Sequence, residues 1–247
     1  MRDTKLIFVE GLPGSGKTTT AAWLASRLHA ERLRVNLLLE HQSEHPLNVG
    51  GTLHPSGETT GEAFFHRYTS ASFVQESLQR WHACVRNAAQ TDAISVLDSY
   101  PFQNAVRVLL QLNATPDCME AYARHVEALV MPLQPVLMYF THRDLIHAFH
   151  ALSTISAQRG KAWTDYVVAL VTHCPYAMAR RLEGFSGALA VLSEYKLLTD
   201  ALLRQSHLPR LVLEDCAKSW EGCYQQIEAF LGLAEPATAG AWTVHTA

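Results

Sequence analysis

The stretch Gly11-Leu12-Pro13-Gly14-Ser15-Gly16-Lys17-Thr18 fills every position of the phosphate-binding loop G-x-x-x-x-G-K-[ST], and few folds can carry that motif. It requires a buried strand before it and a helix after it. Leu6-Ile7-Phe8-Val9 is a short apolar run with β-branched and aromatic residues, and Thr18 to Arg32 places Trp23, Leu24 and Leu28 on one helical side. The glycines let backbone N–H groups fold around a polyphosphate, and the helix N-terminus adds partial positive charge. Lys17 can reach the terminal phosphate oxygens, the Thr18 hydroxyl suits Mg²⁺, and Thr19 follows in the first helical turn. A nucleoside triphosphate bound through residues 11–19 is the expected ligand. No N-K-x-D segment follows the fourth strand described below, so ATP rather than a guanine nucleotide is expected, together with Mg²⁺.

The rest of the chain alternates. Arg34–Glu40 reads as a second strand, followed by a polar stretch from His41 to Gly61 that is long for a loop and therefore a candidate for function. A helical pattern runs from about Glu62 to Ala89, with Phe65, Tyr68, Phe73, Leu78 and Trp81 as core candidates. Ala93–Leu97 forms a third strand ending at Asp98. Helical stretches near Phe102–Leu112 and Asp117–Val130 lead to a fourth strand, Val136–Phe140. Helices near Asp144–Ala157, Trp163–Val171 and Gly187–Gln205, a fifth strand at Arg210–Glu214 and a helix at Trp220–Leu231 complete the order. Alternation of this kind predicts an α/β three-layer sandwich: a five-stranded, mostly parallel sheet with helices on both faces. One domain is expected over residues 1–232, with a loose tail at 233–247. Ligands of such sheets bind at the carboxyl ends of the strands, which here carry the loop, Glu40, Asp98, Thr141 and Glu214.

With 247 residues, 48% of them hydrophobic, the chain can bury a large core, and its net charge of −3 offers no basic footprint for nucleic acid or an anionic membrane. No apolar run approaches spanning length and no signal peptide is evident, so the chain is expected in the cytoplasm. A homodimer is left open. The five cysteines are widely spaced, odd in number and without a C-x-x-C pair, which favours reduced thiols over disulfides or zinc ligands.

The loop, Glu40 ending strand two, Asp98 ending strand three and an Arg-bearing segment after strand four together resemble the deoxynucleoside kinase and thymidylate kinase branch of P-loop kinases. Phe8-Val9-Glu10-Gly11 followed by Gly14-Ser15-Gly16-Lys17-Thr18-Thr19 is similar to the thymidylate kinase opening. The resemblance implies that Glu40 accepts the proton of a substrate hydroxyl, that Asp98 and Thr18 hold Mg²⁺, and that a lid near 156–163 closes Arg159 and Lys161 over the phosphates. Arg159 would then act at the migrating group and Lys161 on the nucleotide. The chain departs from the family where Ser99 follows Asp98, the place of an arginine in relatives.

No Lys or Arg occurs between Arg34 and Arg67, a stretch holding Glu40, Glu44, Glu58 and Glu62 with four histidines. A phosphorylated acceptor calls for arginine forks, so the stretch favours a small, non-phosphorylated acceptor, a nucleoside or another hydroxyl compound that is neutral or cationic. Arg67 or Arg86, turned inward, would restore a nucleoside monophosphate kinase. A regulatory NTPase without a small acceptor is the alternative of another class. His142-Arg143-Asp144-Leu145 imitates the catalytic loop of protein kinases, but Phe149 stands at its Asn position. His142, His147 and His150 read as a helix-end cluster rather than metal ligands.

Overall fold

The computed structural model describes residues 3–40, 42, 44–50, 61–158 and 162–233. In chain order the elements are β1 (Leu6–Gly11), α1 (Lys17–Ala30), β2 (Val35–Leu38), α2 (Gly61–Arg67), α3 (Ser70–Ala89) and β3 (Ile94–Asp98). A π-helical turn (Phe102–Val106) runs into α4 (Arg107–Gln111), followed by α5 (Pro116–Val130), β4 (Val136–Thr141), α6 (Leu145–Gln158) and α7 (Ala162–Thr172). Then come α8 (Pro175–Arg180), α9 (Gly184–Gln205), β5 (Arg210–Glu214), a 3₁₀ turn (Cys216–Lys218) and α10 (Trp220–Leu231).

All five strands are parallel in the order β2-β3-β1-β4-β5. Strand periodicity divides the core into two layers. Leu6, Phe8, Leu97, Leu137 and Tyr139 face one side, where Phe73 and Trp81 of α3, Tyr122 and Val126 of α5 and Val191 and Tyr195 of α9 cover them. Ile7, Val9, Val96, Met138 and Phe140 face the other, under Leu24 and Leu28 of α1 and Ile227 and Leu231 of α10. Near-continuous apolar strands are the signature of a parallel sheet buried on both faces. This is an α/β three-layer sandwich, with helices on both faces of a five-stranded parallel sheet.

The helical pattern expected across Glu62–Ala89 is broken in two. Thr69 leaves the helix with φ −91° and ψ 163°, its side chain accepts from the Ser72 amide, and the Ser72 hydroxyl accepts from the Thr69 amide. This reciprocal cap starts a new helix within an apolar periodicity that reads as continuous. Helix α8 was not expected, because Pro175 opens a six-residue helix too short to show a period.

The cysteine expectation is also corrected: Cys216 and Cys223 are joined by a disulfide, their Cα atoms 5.9 Å apart. The 3₁₀ turn reverses the chain so that the first turns of α10 come back against it, a proximity that spacing alone does not reveal. Cys84, Cys118 and Cys174 are free. Among the described residues no helix is long and apolar enough to cross a membrane.

Candidate functional site

The site grows from the end of β1. Gly11 lies so close to β4 that a Cβ there would sit 2.0 Å from the Phe140 carbonyl oxygen, and its φ of 141° is open only to glycine. Gly16, with φ 90°, ends the loop as the N-cap of α1, beneath the indole of Trp220. A Cβ at Gly16 would meet the Trp220 ring at 2.1 Å. The loop backbone is thereby held between β4 on one side and α10 on the other.

Lys17 is buried and donates from Nζ to the Leu12 carbonyl at 2.8 Å, folding back across the loop. Burial lowers its pKa, while Asp98, Glu40 and Glu10 oppose the shift and Arg107 adds to it. Five charged side chains therefore share one electrostatic environment. Thr18 Oγ1 donates to Asp98 Oδ2 at 2.6 Å, and Ser99 Oγ donates to Asp98 Oδ1 at 2.9 Å. Burial raises the Asp98 pKa against Lys17 and these hydroxyl donors. Ser99 itself has φ 68°, a left-handed conformation that turns the chain sharply at the end of β3.

The oxygen donors of Thr18 and Asp98 suit a hard cation that takes few protein ligands and completes its shell with phosphate and water, as Mg²⁺ does. Among the described residues no group of three or more His, Cys, Asp or Glu side chains forms a self-sufficient metal cage. The pair fits Mg²⁺ arriving with a nucleotide, and the buried Ser15 hydroxyl, which has no partner, leaves a further polar group for the loop's ligand.

Glu10 is the residue whose role is least evident from its position. Fully buried, it accepts from the amides of Gly11 (3.2 Å), Phe102 and Gln103 (3.3 Å), tying the loop to the segment after β3. Burial pushes its pKa up to about 8, with Lys17 and these amides holding it down. The wide π-helical turn makes this possible by bringing two successive amides to one carboxyl group.

The same turn positions Glu40. Gln103 Nε2 donates to both carboxylate oxygens of Glu40, at 3.0 and 2.9 Å, so residues at the ends of two different strand connections meet. One helical turn on, Arg107 is buried and donates from Nε to the Gln103 carbonyl (2.9 Å) and from Nη1 to Gln111 Oε1 (2.8 Å). Gln111 is in turn anchored by its amide to the Leu170 carbonyl of α7 at 2.7 Å. Close by, His45 stacks on Tyr100 with ring centroids 4.5 Å apart, and Tyr100 donates to Asn48 Oδ1. His45 Nδ1 accepts from the Leu47 amide, and burial pulls the ring's pKa down to about 4, against the pull of Glu40.

Lys17, Thr18, Glu40 and Asp98 are thus gathered at the carboxyl ends of β1, β2 and β3. Arg159, Lys161, Glu58, part of the segment read as a lid and nearly all of the C-terminal tail lie outside the described residues. Arg143 is paired with Glu214 at 2.6 Å, and His142 Nδ1 lies 3.5 Å from Asp215. Gln103 and Arg107 were missed from sequence: both sit in a stretch read only as a helix. Their four-residue spacing, continued at Gln111, puts Gln103, Arg107 and Gln111 on one helical side and was the available signal.

No family model matches the chain, and no curated protein matches it. Solved structures similar to it include PAB0955, a GTPase in apo form from Pyrococcus abyssi. It shares 15% identity over 94% of this chain and 98% of that one, with a TM-score of 0.38. The fold assignment rests on the loop and the sheet order described above.

Proposed function

We propose that this chain is an ATP- and Mg²⁺-dependent kinase that transfers the γ-phosphoryl group to a hydroxyl of a small metabolite. The observation that carries the reading is the Glu40 carboxylate, fixed through both oxygens by Gln103 and coupled electrostatically to Lys17. A water-switching NTPase does not need a side-chain amide dedicated to orienting a carboxylate just past the end of β2. An acceptor hydroxyl does need one, because its proton must leave as the new bond forms.

Phosphoryl transfer asks mainly for positioning and charge stabilisation. Loop amides 11–16 and Lys17 would bind the β- and γ-phosphates. Thr18 and Asp98 would hold Mg²⁺, which when bound neutralises phosphate charge. Glu40 would orient the acceptor hydroxyl and take its proton. The hydroxyl oxygen bonds to the γ-phosphorus, the bond from that phosphorus to the bridging oxygen breaks, and ADP leaves. Glu10, holding the loop to the segment that carries Gln103, would keep the two substrates in register. Arg159 and Lys161 would supply the lid cations over the migrating group. Glu40 also argues for a hydroxyl over a phosphate acceptor, whose oxygens carry no proton that must be removed at neutral pH and would repel a carboxylate.

A screen with γ-labelled ATP against pooled nucleosides, nucleotides, sugars, hydroxy acids and amino-alcohols tests the reading. Label transferred to an organic hydroxyl supports it. Label released only as inorganic phosphate, at a rate no acceptor changes, would return the chain to the regulatory NTPases.

A further inference from the structure

The stretch between Arg34 and Arg67 suggested a cleft without positive charge, and the fold alters that. Arg107, the first residue of α4, is 4% exposed, and among the described residues no carboxylate lies within ion-pair distance of it. Its two hydrogen bonds go to neutral groups, the Gln103 carbonyl and the Gln111 carboxamide. A buried guanidinium without a counter-ion is costly, and one braced by a buried glutamine that is itself tied to a neighbouring helix is held in a fixed orientation. With Nε and one Nη1 proton engaged, the outer edge of the fork still carries donors on Nη1 and Nη2, the edge that binds paired anionic oxygens.

Its surroundings place that edge on the acceptor side. Arg107 bonds the backbone of the residue whose side chain holds Glu40. The hydroxyl of Tyr166 on α7 is influenced by Arg107 and Glu40 together. Gln103 Oε1 is buried and has no hydrogen-bond partner among the described residues.

We propose that Arg107 is the anion-reading residue of the acceptor site, so that the phosphoryl acceptor carries a carboxylate or phosphate group apart from its reacting hydroxyl. The inference builds on the reading of Glu40 as the group facing that hydroxyl, and it narrows the acceptor to hydroxy acids and hydroxylated phosphate esters. It replaces the neutral or cationic acceptor suggested by the sequence between Arg34 and Arg67.

The test uses small anions and the full chain, with no catalysis. In a Lys17→Ala background, which removes the loop's main phosphate contact, Tm is followed against sodium acetate and sodium phosphate at constant ionic strength. A saturable rise with either anion is expected, and which anion acts distinguishes a carboxylate from a phosphate group. Adding Arg107→Gln should abolish the rise. Arg107→Lys keeps the charge without the fork, and should require about tenfold more anion. No anion response, or an undiminished response in both the Gln and Lys variants, would overturn the proposal. An Arg107-dependent response in a chain that phosphorylates nothing would sink the kinase reading and leave this anion site standing.

Discussion

Thr18 and Asp98, 80 residues apart, meet through a 2.6 Å hydrogen bond that sets the last residue of the loop motif against the last residue of β3. Parallel pairing of β1 with β3 produces the meeting: Val9 is in register with Asp98, so β3 ends two residues short of the end of β1, at the level where the loop begins. If the pair holds Mg²⁺, Asp98→Asn should raise the Mg²⁺ concentration giving half-maximal turnover by roughly 10–100-fold. Mg²⁺ titrations at fixed ATP check it, and an unchanged Mg²⁺ requirement would assign the metal elsewhere.

Lys17→Ala removes the charge that the loop aims at the terminal phosphates. Losing one preorganised electrostatic contact should cost ~10²–10³-fold in kcat. Circular dichroism and Tm should show a retained fold, since among the described residues the Lys17 ammonium hydrogen-bonds a loop carbonyl alone. Near-normal turnover in the folded variant would contradict its role.

Gly16 combines a positive φ with a neighbouring indole, so Gly16→Ala should weaken nucleotide binding through both. Trp220→Ala in the same chain removes the 2.1 Å clash but not the strain of φ 90°. The double variant should therefore recover part of the lost affinity and not all of it. Fluorescent-nucleotide titrations compare the three, and full recovery would show that contact with Trp220 alone makes Gly16 necessary.

Glu10 and His45 give opposite pH dependences. Glu10 keeps its proton up to about 8 in the fold against a usual 4.5, so the folded state binds the extra proton and stability falls as pH rises through that window. His45 stays neutral down to about 4 against a usual 6.5, so its contribution is lost as pH falls from 6.5 towards 4. Between pH 6.5 and 8 the Glu10 effect is free of His45. Glu10→Gln should flatten the decline in Tm across that range relative to the native chain. Parallel declines would show that Glu10 is ionised throughout.

How much of this was legible depends on the range of the interaction. The loop and the strand ends follow from contiguous patterns: apolar runs, glycines and a Lys-Thr pair fix them locally. Glu40 and Asp98 could be nominated because β-strands end where their apolar runs end. Gln103 could not, because its value lies in reaching a carboxylate 63 residues away. A π-helical turn changes which side chains share a face, and no local periodicity announces it. Arg107 stayed hidden for the same reason, and that no carboxylate among the described residues pairs with it is visible only in the fold. The disulfide between Cys216 and Cys223 likewise depends on a turn that brings α10 back on the end of β5.

The most direct test of the central claim is single-turnover transfer from γ-labelled ATP to an acceptor found in the screen, comparing the native chain with Glu40→Gln. The account predicts that Glu40→Gln binds ATP as the native chain does while phosphorylating the acceptor ~10²–10⁴-fold more slowly, the usual worth of a positioned general base. Transfer at the native rate would contradict it, and Glu40 would then be a carboxylate held in place by Gln103 with no part in the chemistry.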